Sequence, residues 1–402
     1  MLPMATIAHL HWLPIEAPSN GTETRIRKTA EYLTTFGTVL SIHPCVERRE
    51  ITDGLYAVPI ENPLLSTKLT RIELWYAAMS LGASNPYHQL QSALTTRHVR
   101  GLDDTFDLVI SEGPQMTTAA FDIAATHGAP VLLNKHNAMY ALLDQLLADS
   151  SLPRRITQRA VDSLRRFEQT AIDRADAVVF QSEADRELFT IPSDTRVATI
   201  PNGTDHATIQ SGGSAEQLCE TYGLSPDDTH VVFIGSYEYL PNREVAETIA
   251  TRVAPQLHDV EFLLVGRDPP ELPDLENVHT LGFVEDLPGV LAMADIAICP
   301  LERGRGTKLK MMDYLAAGLP IVTTSVGAEG IDVTDGESVL IRDDSDGLVE
   351  AIAQLAADER LRTELGAAAA ITGAKYAWPA VLADYDPLIH ELLGTDREPI
   401  PA

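Results

Sequence analysis

The chain has 402 residues, and 58 acidic residues against 30 Lys plus Arg give it a formal net charge of −28. This length exceeds one ordinary core and predicts two domains of roughly 200 residues each. The acidity excludes nucleic acid as a probable class of partner, because binding a polyanion needs a basic surface. Cys45, Cys219 and Cys299 have no paired spacing. This argues against a disulfide framework or a structural zinc site and fits a reducing, cytoplasmic compartment.

The apolar opening MLPMATIAHLHWL lacks a basic n-region, so we interpret it as a first strand and not as a signal peptide. No apolar run approaches the roughly 20 residues that span a bilayer, which predicts a soluble or at most peripheral protein. The acidic composition is also poor in Lys. Such a surface is similar to that of proteins from organisms that keep molar salt in the cytoplasm, where the Debye length is about 3 Å. We therefore expect a halophilic protein.

The N-terminal half begins as a strand, a loop and a helix. Residues 5–11 form the apolar strand, Asn20 and Gly21 lie in the loop, and residues 22–36 have helical periodicity. This is the opening of a nucleotide-binding α/β fold, with a plain turn as the alternative for the loop.

Two later segments are rich in cations. Residues 68–100 combine Lys and Arg with Trp75 and Tyr76, a pattern that fits a weak peripheral membrane contact. The alternative, which we favour, is that the aromatic rings are core and the cations are solvated. Five arginines lie between residues 154 and 166 on a helical pattern, where they either recognise an anionic acceptor or pair with neighbouring acids.

A buried strand at residues 130–134 is followed by His136. Ligands of open parallel sheets bind outside the carboxyl ends of the strands, so His136 is a candidate functional residue.

In the C-terminal half, the apolar strand that ends at Gly235 and Ser236 offers backbone N–H groups to a phosphate. Gly266 and Arg267 end the next strand in the same way.

The stretch from 282 to 330 contains a local cluster of positive charge in an otherwise acidic chain. Four cations, Arg303, Arg305, Lys308 and Lys310, stand within eight residues with no acid among them. They lie on a strand-to-helix loop in which Gly304 and Gly306 allow close approach of a ligand. The helix that begins near Thr307 directs its unpaired N–H groups and positive dipole end to the same place. This predicts an anion site for a phosphate or diphosphate, with a solvated loop as the alternative.

The stretch resembles the nucleotide-sugar-binding half of GT-B glycosyltransferases of the large family called glycosyl transferases group 1. Members carry a strand that ends in Pro, a G-x-G-T-(K/R)-x-K loop, an acidic residue, and A-x-G-x-P-(I/V)-V with a small polar run. The matching residues here are Pro300, Gly304, Gly306, Thr307, Lys308, Lys310, Asp313, Ala316, Gly318, Pro320, Val322, Thr323 and Thr324. Pro201-Asn202-Gly203-Thr204-Asp205 similarly matches the family's hinge motif between its two domains.

The resemblance also implies roles for single residues. His136 would contact the transferred sugar, Lys310 and Lys308 the leaving diphosphate, and Asp313 the ribose. The backbone at Phe283 and Val284 would hold the base, Arg243 would stand in for the family's second diphosphate cation, and Asn20 and Gly21 would lie on the acceptor side. Arg305 occupies the place of a Glu that often contacts the sugar, and Glu329 is the candidate substitute.

The implied fold is GT-B, in which two doubly wound Rossmann-like domains face each other across a cleft. We expect an acceptor-binding domain at 1–204, a nucleotide-sugar-binding domain at 205–376 and a C-terminal helix at 377–402 that crosses back to the first. The implied reaction moves a hexosyl unit from a nucleotide-diphosphate sugar to a sugar, glycan or lipid-linked acceptor, with retention. It needs no cofactor and no metal. A same-fold epimerase or phosphorylase and a catalytically silent sugar-nucleotide-binding protein are the alternatives.

Overall fold

The structure is a computed structural model that describes residues 5–18, 20–45, 47–60, 95–99, 101–102, 104–148 and 153–394. The chain divides into two compact units. The first consists of Met1–Ile200 with Leu382–Ala402, and the second is Pro201–Val381.

The described part of the first unit contains an eight-stranded sheet of order β3-β4-β2-β1-β5-β6-β7-β8. All its pairings are parallel except β3 with β4. The strands are β1 (Ala5–Leu10), β2 (Gly37–His43), β3 (Arg49–Thr52), β4 (Leu55–Pro59), β5 (Leu108–Glu112), β6 (Val131–Lys135), β7 (Ala177–Phe180) and β8 (Arg196–Thr199). The central strands are buried along their whole length, as expected for a parallel sheet covered on both faces, and β5 and β6 begin with apolar residues and end with polar ones.

Helices connect these strands. They are α1 (Gly21–Leu33), α2 (Thr117–His127), α3 (Met139–Leu147), α4 (Arg154–Ile172) and α5 (Glu183–Arg186). Asn20 caps α1, since its side chain accepts from the backbone N–H of Glu23. The carboxyl ends of β1, β2, β5, β6 and β7 meet at one edge of the sheet, which therefore collects the polar residues that follow each strand.

The second unit has a six-stranded parallel sheet of order β11-β10-β9-β12-β13-β14 in its described residues. The strands are β9 (Thr229–Ile234), β10 (Val260–Val265), β11 (Val278–Gly282), β12 (Ile296–Cys299), β13 (Ile321–Thr323) and β14 (Leu340–Ile341). The helices are α6 (His206–Gln210), α7 (Ala215–Tyr222), α8 (Leu240–Thr248), α9 (Leu287–Met293), α10 (Leu309–Ala317), α11 (Ser345–Ala357), α12 (Glu359–Ala374) and α13 (Trp378–Leu382). A π-helical turn at Ile249–Val253 and a 3₁₀ turn at Ala254–Gln256 extend α8.

The last helix, α14 (Asp386–Leu392), belongs to the first unit. Tyr32 of α1 donates to Asp386 at 2.5 Å, and Glu391 pairs with Arg196 at 2.6 Å. Two parallel-sheet Rossmann-like domains are thus present, as the sequence predicted. Among the described residues, no helix has both the length and the apolar character that crossing a membrane requires.

The unit boundaries fall at Ile200 and Val381, whereas the sequence placed them at 204 and 376. The reason is that the hinge motif packs within the second unit. The backbone N–H of Thr204 donates to the carbonyl of Tyr376, and Gly203 lies against the ring of Trp378. The cation-rich segment at 68–100 lies almost entirely outside the described residues, including both Trp75 and Tyr76.

Candidate active site

The predicted anion loop connects β12 to α10 at the carboxyl edge of the second sheet. Gly304 (φ 138°) and Gly306 (φ 71°) adopt backbone conformations that favour glycine. The hinge motif fixes the end of this loop, because Asn202 donates from its backbone N–H to Thr307 Oγ1 at 3.1 Å and from its side chain to Thr307 O at 2.8 Å. These two hydrogen bonds therefore fix the position of Thr307 relative to the segment at 201–205.

Helix α10 begins after Lys308, and no side chain caps it. The first backbone N–H groups of a helix have no partner within the helix. With the macrodipole, they make this helix start a suitable place for an anion.

Lys310 lies in the first turn of α10 with a half-buried side chain. Its Nζ donates to Asn242 Oδ1 at 2.8 Å and lies 3.9 Å from the centroid of the Phe233 ring. Burial, with a smaller contribution from the charge of Lys308, lowers the pKa of Lys310 to about 8. A bound diphosphate would favour the ammonium form, so this lysine is suited to neutralising a leaving anion.

Two glycines bring the ends of β9 and β10 together beside Lys310. A Cβ on Gly266 would lie 1.7 Å from the carbonyl oxygen of Gly235, and a Cβ on Gly235 would lie 2.7 Å from Asn242 Nδ2 and 2.9 Å from Lys310 Nζ. Half-buried Ser236 follows, and its carbonyl accepts from Asn242 Nδ2 at 2.7 Å. Sequence reasoning missed Asn242, although its position in the first turn of the helix that follows the Gly-Ser end of β9 was a usable signal.

The other loop cations are paired with carboxylates. Arg303 forms a two-point ion pair with Glu244. Arg305 Nη1 and Lys308 Nζ each lie 3.3 Å from a different oxygen of Glu329, and Lys308 also donates to the carbonyl of Gly306 at 2.7 Å. The carboxylate of Glu329, which follows β13, therefore lies beside both Arg305 and Lys308.

Asp313 faces the hinge motif from α10. Thr204 Oγ1 donates to its Oδ1 at 2.7 Å. Burial raises the pKa of Asp313 to about 7, against the opposing hydrogen bond from Thr204, and the charge of Asp205 adds to the rise. A ribose contact by this residue stays a prediction.

The predicted base-binding segment follows β11. The Phe283 ring is exposed and lies 4.2 Å from the guanidinium carbon of Arg267, which follows β10, while Val284 is half-buried. Arg243 is exposed on α8. The predicted donor-side residues of the second unit thus lie in the segments that follow its strands and on α8 and α10.

In the first unit, His136 lies at the carboxyl end of β6 beside a buried carboxylate. Its Nε2 is 2.9 Å from Glu112 Oε2, and Glu112 Oε1 receives hydrogen bonds from Asn134 at 2.8 Å and lies 2.7 Å from His9 Nε2. Burial would raise the pKa of Glu112, but the contacts with His136 and His9 hold it well below its usual range. The Nδ1 of His136 lies 2.8 Å from the Gln181 side-chain amide, so the ring is held on both sides.

Glu112 was not identified from the sequence, although it is the polar residue at the end of β5.

Asn20 serves as the N-cap of α1 and Gly21 begins that helix, so their acceptor-side role stays a prediction. On α4, Arg154, Arg155, Arg159 and Arg166 lie together with Gln158 and Asp162 on one exposed face of the helix.

Both units match known families of protein domains. Residues 20–203 match the family described as "Glycosyl transferase 4-like domain", and residues 228–358 match the family described as "Glycosyl transferases group 1". The chain is thus built from glycosyl transferase domains over most of its length.

Characterised relatives agree with this class. The phosphatidyl-myo-inositol mannosyltransferase of Mycolicibacterium smegmatis is 28% identical over 173 residues, which cover 40% of this chain and 45% of that protein. The D-inositol 3-phosphate glycosyltransferase of Corynebacterium diphtheriae is 33% identical over 98 residues, covering 24% of this chain and 23% of that protein. The chain thus aligns with less than half the length of these curated relatives.

Solved structures match over nearly the whole chain. Sucrose-phosphate synthase from Thermosynechococcus elongatus has a TM-score of 0.75 at 16% identity, covering 98% of this chain and all of that one. The Anabaena protein HepE, solved with UDP and glucose, has a TM-score of 0.67 at 15% identity, covering 96% and 99%. At these identities the likeness shows the fold, which is that of GT-B glycosyltransferases.

Proposed function

We propose that this protein transfers a hexosyl unit from a nucleoside diphosphate sugar to a sugar, glycan or lipid-linked acceptor, with retention at the anomeric carbon. The observation that carries the proposal is the anion site at the start of α10. There an uncapped helix terminus, Gly304 and Gly306, and the low-pKa ammonium of Lys310 converge. Stabilising a leaving diphosphate needs this combination of dipole, N–H donors and positive charge.

The roles of the other residues follow from their places. The ammonium of Lys310 meets the diphosphate, supported by Asn242, while Lys308 and Arg305 orient Glu329 toward the sugar. Asp313 binds the ribose. Arg267, Phe283 and Val284 bind the base. His136, held by Glu112, contacts the transferred sugar. No step in this proposal requires a metal ion.

The donor assignment has support from related structures, since HepE was solved with UDP-glucose and a trehalose-6-phosphate-related Escherichia coli protein with UDP-2-fluoro glucose. The curated relatives are named for transfer to phosphatidyl-myo-inositol and to D-inositol 3-phosphate. The exposed arginines of α4 favour an acceptor that is likewise anionic. We propose a cytoplasmic location and a requirement for high salt.

Turnover assays separate this function from its alternatives. The purified protein, in molar KCl, is offered a panel of nucleoside diphosphate sugars with candidate acceptors, and free nucleoside diphosphate is measured. A transferase releases the diphosphate and gives a product whose anomeric configuration matches the donor by NMR. Release only with added inorganic phosphate indicates a phosphorylase. Saturable UDP binding with no release from any donor indicates a silent binding protein and overturns the proposal.

A further inference from the structure

Three different metal-binding side chains meet at the carboxyl edge of the first sheet. Glu16, His43 and Cys45 each offer one ligand atom, and these atoms lie within 4.8 Å of one another. They converge because β1 and β2 pair in parallel, so the loop after β1 and the segment after β2 leave the sheet at the same edge. This cluster could not be predicted from a local pattern, because Glu16 is separated along the chain from the other two residues.

His43 is the central group of the cluster and is fully buried. Its Nδ1 lies 3.0 Å from the carbonyl of Ser41 and 3.2 Å from Ser41 Oγ. The opposite ring nitrogen, Nε2, faces Glu16. Among the described residues that atom has no hydrogen-bond partner, and it lies 3.1 Å from Glu16 Oε2. A ring nitrogen and a carboxylate oxygen at this distance share either a proton or a metal ion.

The other two ligands are accessible and complete a mixed set. Glu16 is half-buried, and its carboxylate lies beside His43 through Oε2 and beside Arg49 through Oε1. Cys45 is half-buried, which leaves a route for an ion from solvent. Imidazole nitrogen, carboxylate oxygen and thiolate sulfur together suit Zn²⁺ better than Mg²⁺ or Ca²⁺, which prefer oxygen alone.

The bond between Nδ1 of His43 and Ser41 is itself typical of a metal-ligating histidine, whose second nitrogen is fixed by a carbonyl. We propose that Glu16 Oε2, His43 Nε2 and Cys45 Sγ bind one Zn²⁺ ion or a similar borderline divalent cation. On binding, the S–H bond of Cys45 breaks, its proton passes to the buffer, and the thiolate bonds to the metal. The ion ties the loop that leads into α1 to the end of β2 and keeps a fourth position for water or a ligand.

The competing arrangement is an ion pair between a protonated His43 and Glu16. Arg49 Nη2 lies 3.6 Å from the other oxygen of Glu16, so it could complete such a pair. The two arrangements differ in what Cys45 does, because only metal binding makes it a thiolate.

The test uses the full chain after removal of metals with a chelator. Zn²⁺ alone is titrated in the presence of excess Mg²⁺, which occupies the acidic surface, and bound zinc is measured after gel filtration. We expect one zinc per chain in the wild type. Cys45→Ser and Glu16→Gln should each weaken binding at least about tenfold, while Cys219→Ser, the matched thiol control, should bind as the wild type does. Co²⁺ should give a thiolate charge-transfer band in the wild type but not in Cys45→Ser.

A second measurement needs only the wild type and decides the question if a variant fails to fold. Saturating Zn²⁺ should slow alkylation of Cys45, read by peptide mass spectrometry. Equal zinc binding by Cys45→Ser and the wild type, or alkylation of Cys45 unaffected by zinc, would mean an adventitious ion only and leave the ion pair as the correct arrangement. The test does not depend on transferase activity.

Discussion

Replacing Lys310 by Met removes the central charge of the anion site while keeping most of its side-chain volume. The apolar stem can still lie against Phe233, over whose ring the ammonium sits at 3.9 Å. A unit charge about 4 Å from a phosphate oxygen is worth about 4 kcal/mol at an effective dielectric constant near 20. Removal of one such donor from an active site typically costs about 2.7–4 kcal/mol. Turnover of Lys310→Met should therefore fall about a hundredfold to a thousandfold.

The pH profile gives an independent readout. Since kcat/KM reports ionisation in the free enzyme, the wild type should lose kcat/KM as the pH rises through about 8, where Lys310 releases its proton. Lys310→Met should lack this alkaline decline. The matched control is Lys375→Met, because Lys375 is an exposed lysine paired with Asp332. Turnover above a third of the wild-type value in a folded Lys310→Met variant, or an unchanged alkaline decline, would refute the assignment.

Three further predictions concern stability. The pKa of Asp313 is raised to about 7, so its stabilising contribution is full below its unfolded pKa near 4 and is lost as the pH rises through about 7. Asp313→Asn can still accept from Thr204. Its free energy of unfolding in urea, relative to that of the wild type, should thus rise by about 2 kcal/mol between about pH 5 and about pH 8. A difference in unfolding free energy that does not change with pH contradicts this. The pKa of Glu112 is lowered, so Glu112→Gln should reduce the free energy of unfolding by about 3 kcal/mol at pH 7. The unfolding free energies of the variant and the wild type should converge as acid protonates the wild-type carboxylate. The control is Glu31→Gln on the surface of α1. If Glu112→Gln is as destabilising in acid as at pH 7, the network of Glu112 with His136 and His9 is not the cause. The melting temperature should rise from about 0.1 M to about 3 M KCl as salt screens the net charge of −28, and a flat curve would dismiss the halophilic interpretation.

The sequence predicted the fold and the donor-side loop because both depend on local patterns. Apolar runs indicate buried parallel strands, and the order of Gly, Thr and Lys around Gly306 indicates a loop that leads into a helix. His136 was found by a topological rule, since strand ends collect at one edge. Each of these signals is contained within a few consecutive residues.

Long-range partners could not be predicted in this way. The local excess of cations at 303–310 did not reveal that Glu244 would pair with Arg303, because that carboxylate lies 59 residues away on α8. Glu112 likewise reaches His136 from a neighbouring strand, with no spacing that marks the pair. The contact of Gly203 with Trp378 is a further long-range pair that no local pattern marks.

The low pKa of Lys310 also has a consequence for covalent chemistry. An ammonium ion is not nucleophilic, and ordinary lysines remain almost fully protonated near pH 8. Lys310, with a pKa of about 8, carries a free amine in roughly half of the molecules under the same conditions. The chain contains only six lysines. An amine-directed acylating reagent at mildly alkaline pH should therefore label Lys310 ahead of the others, and a bound nucleoside diphosphate should shield it, which gives a direct chemical marker for occupancy of this site.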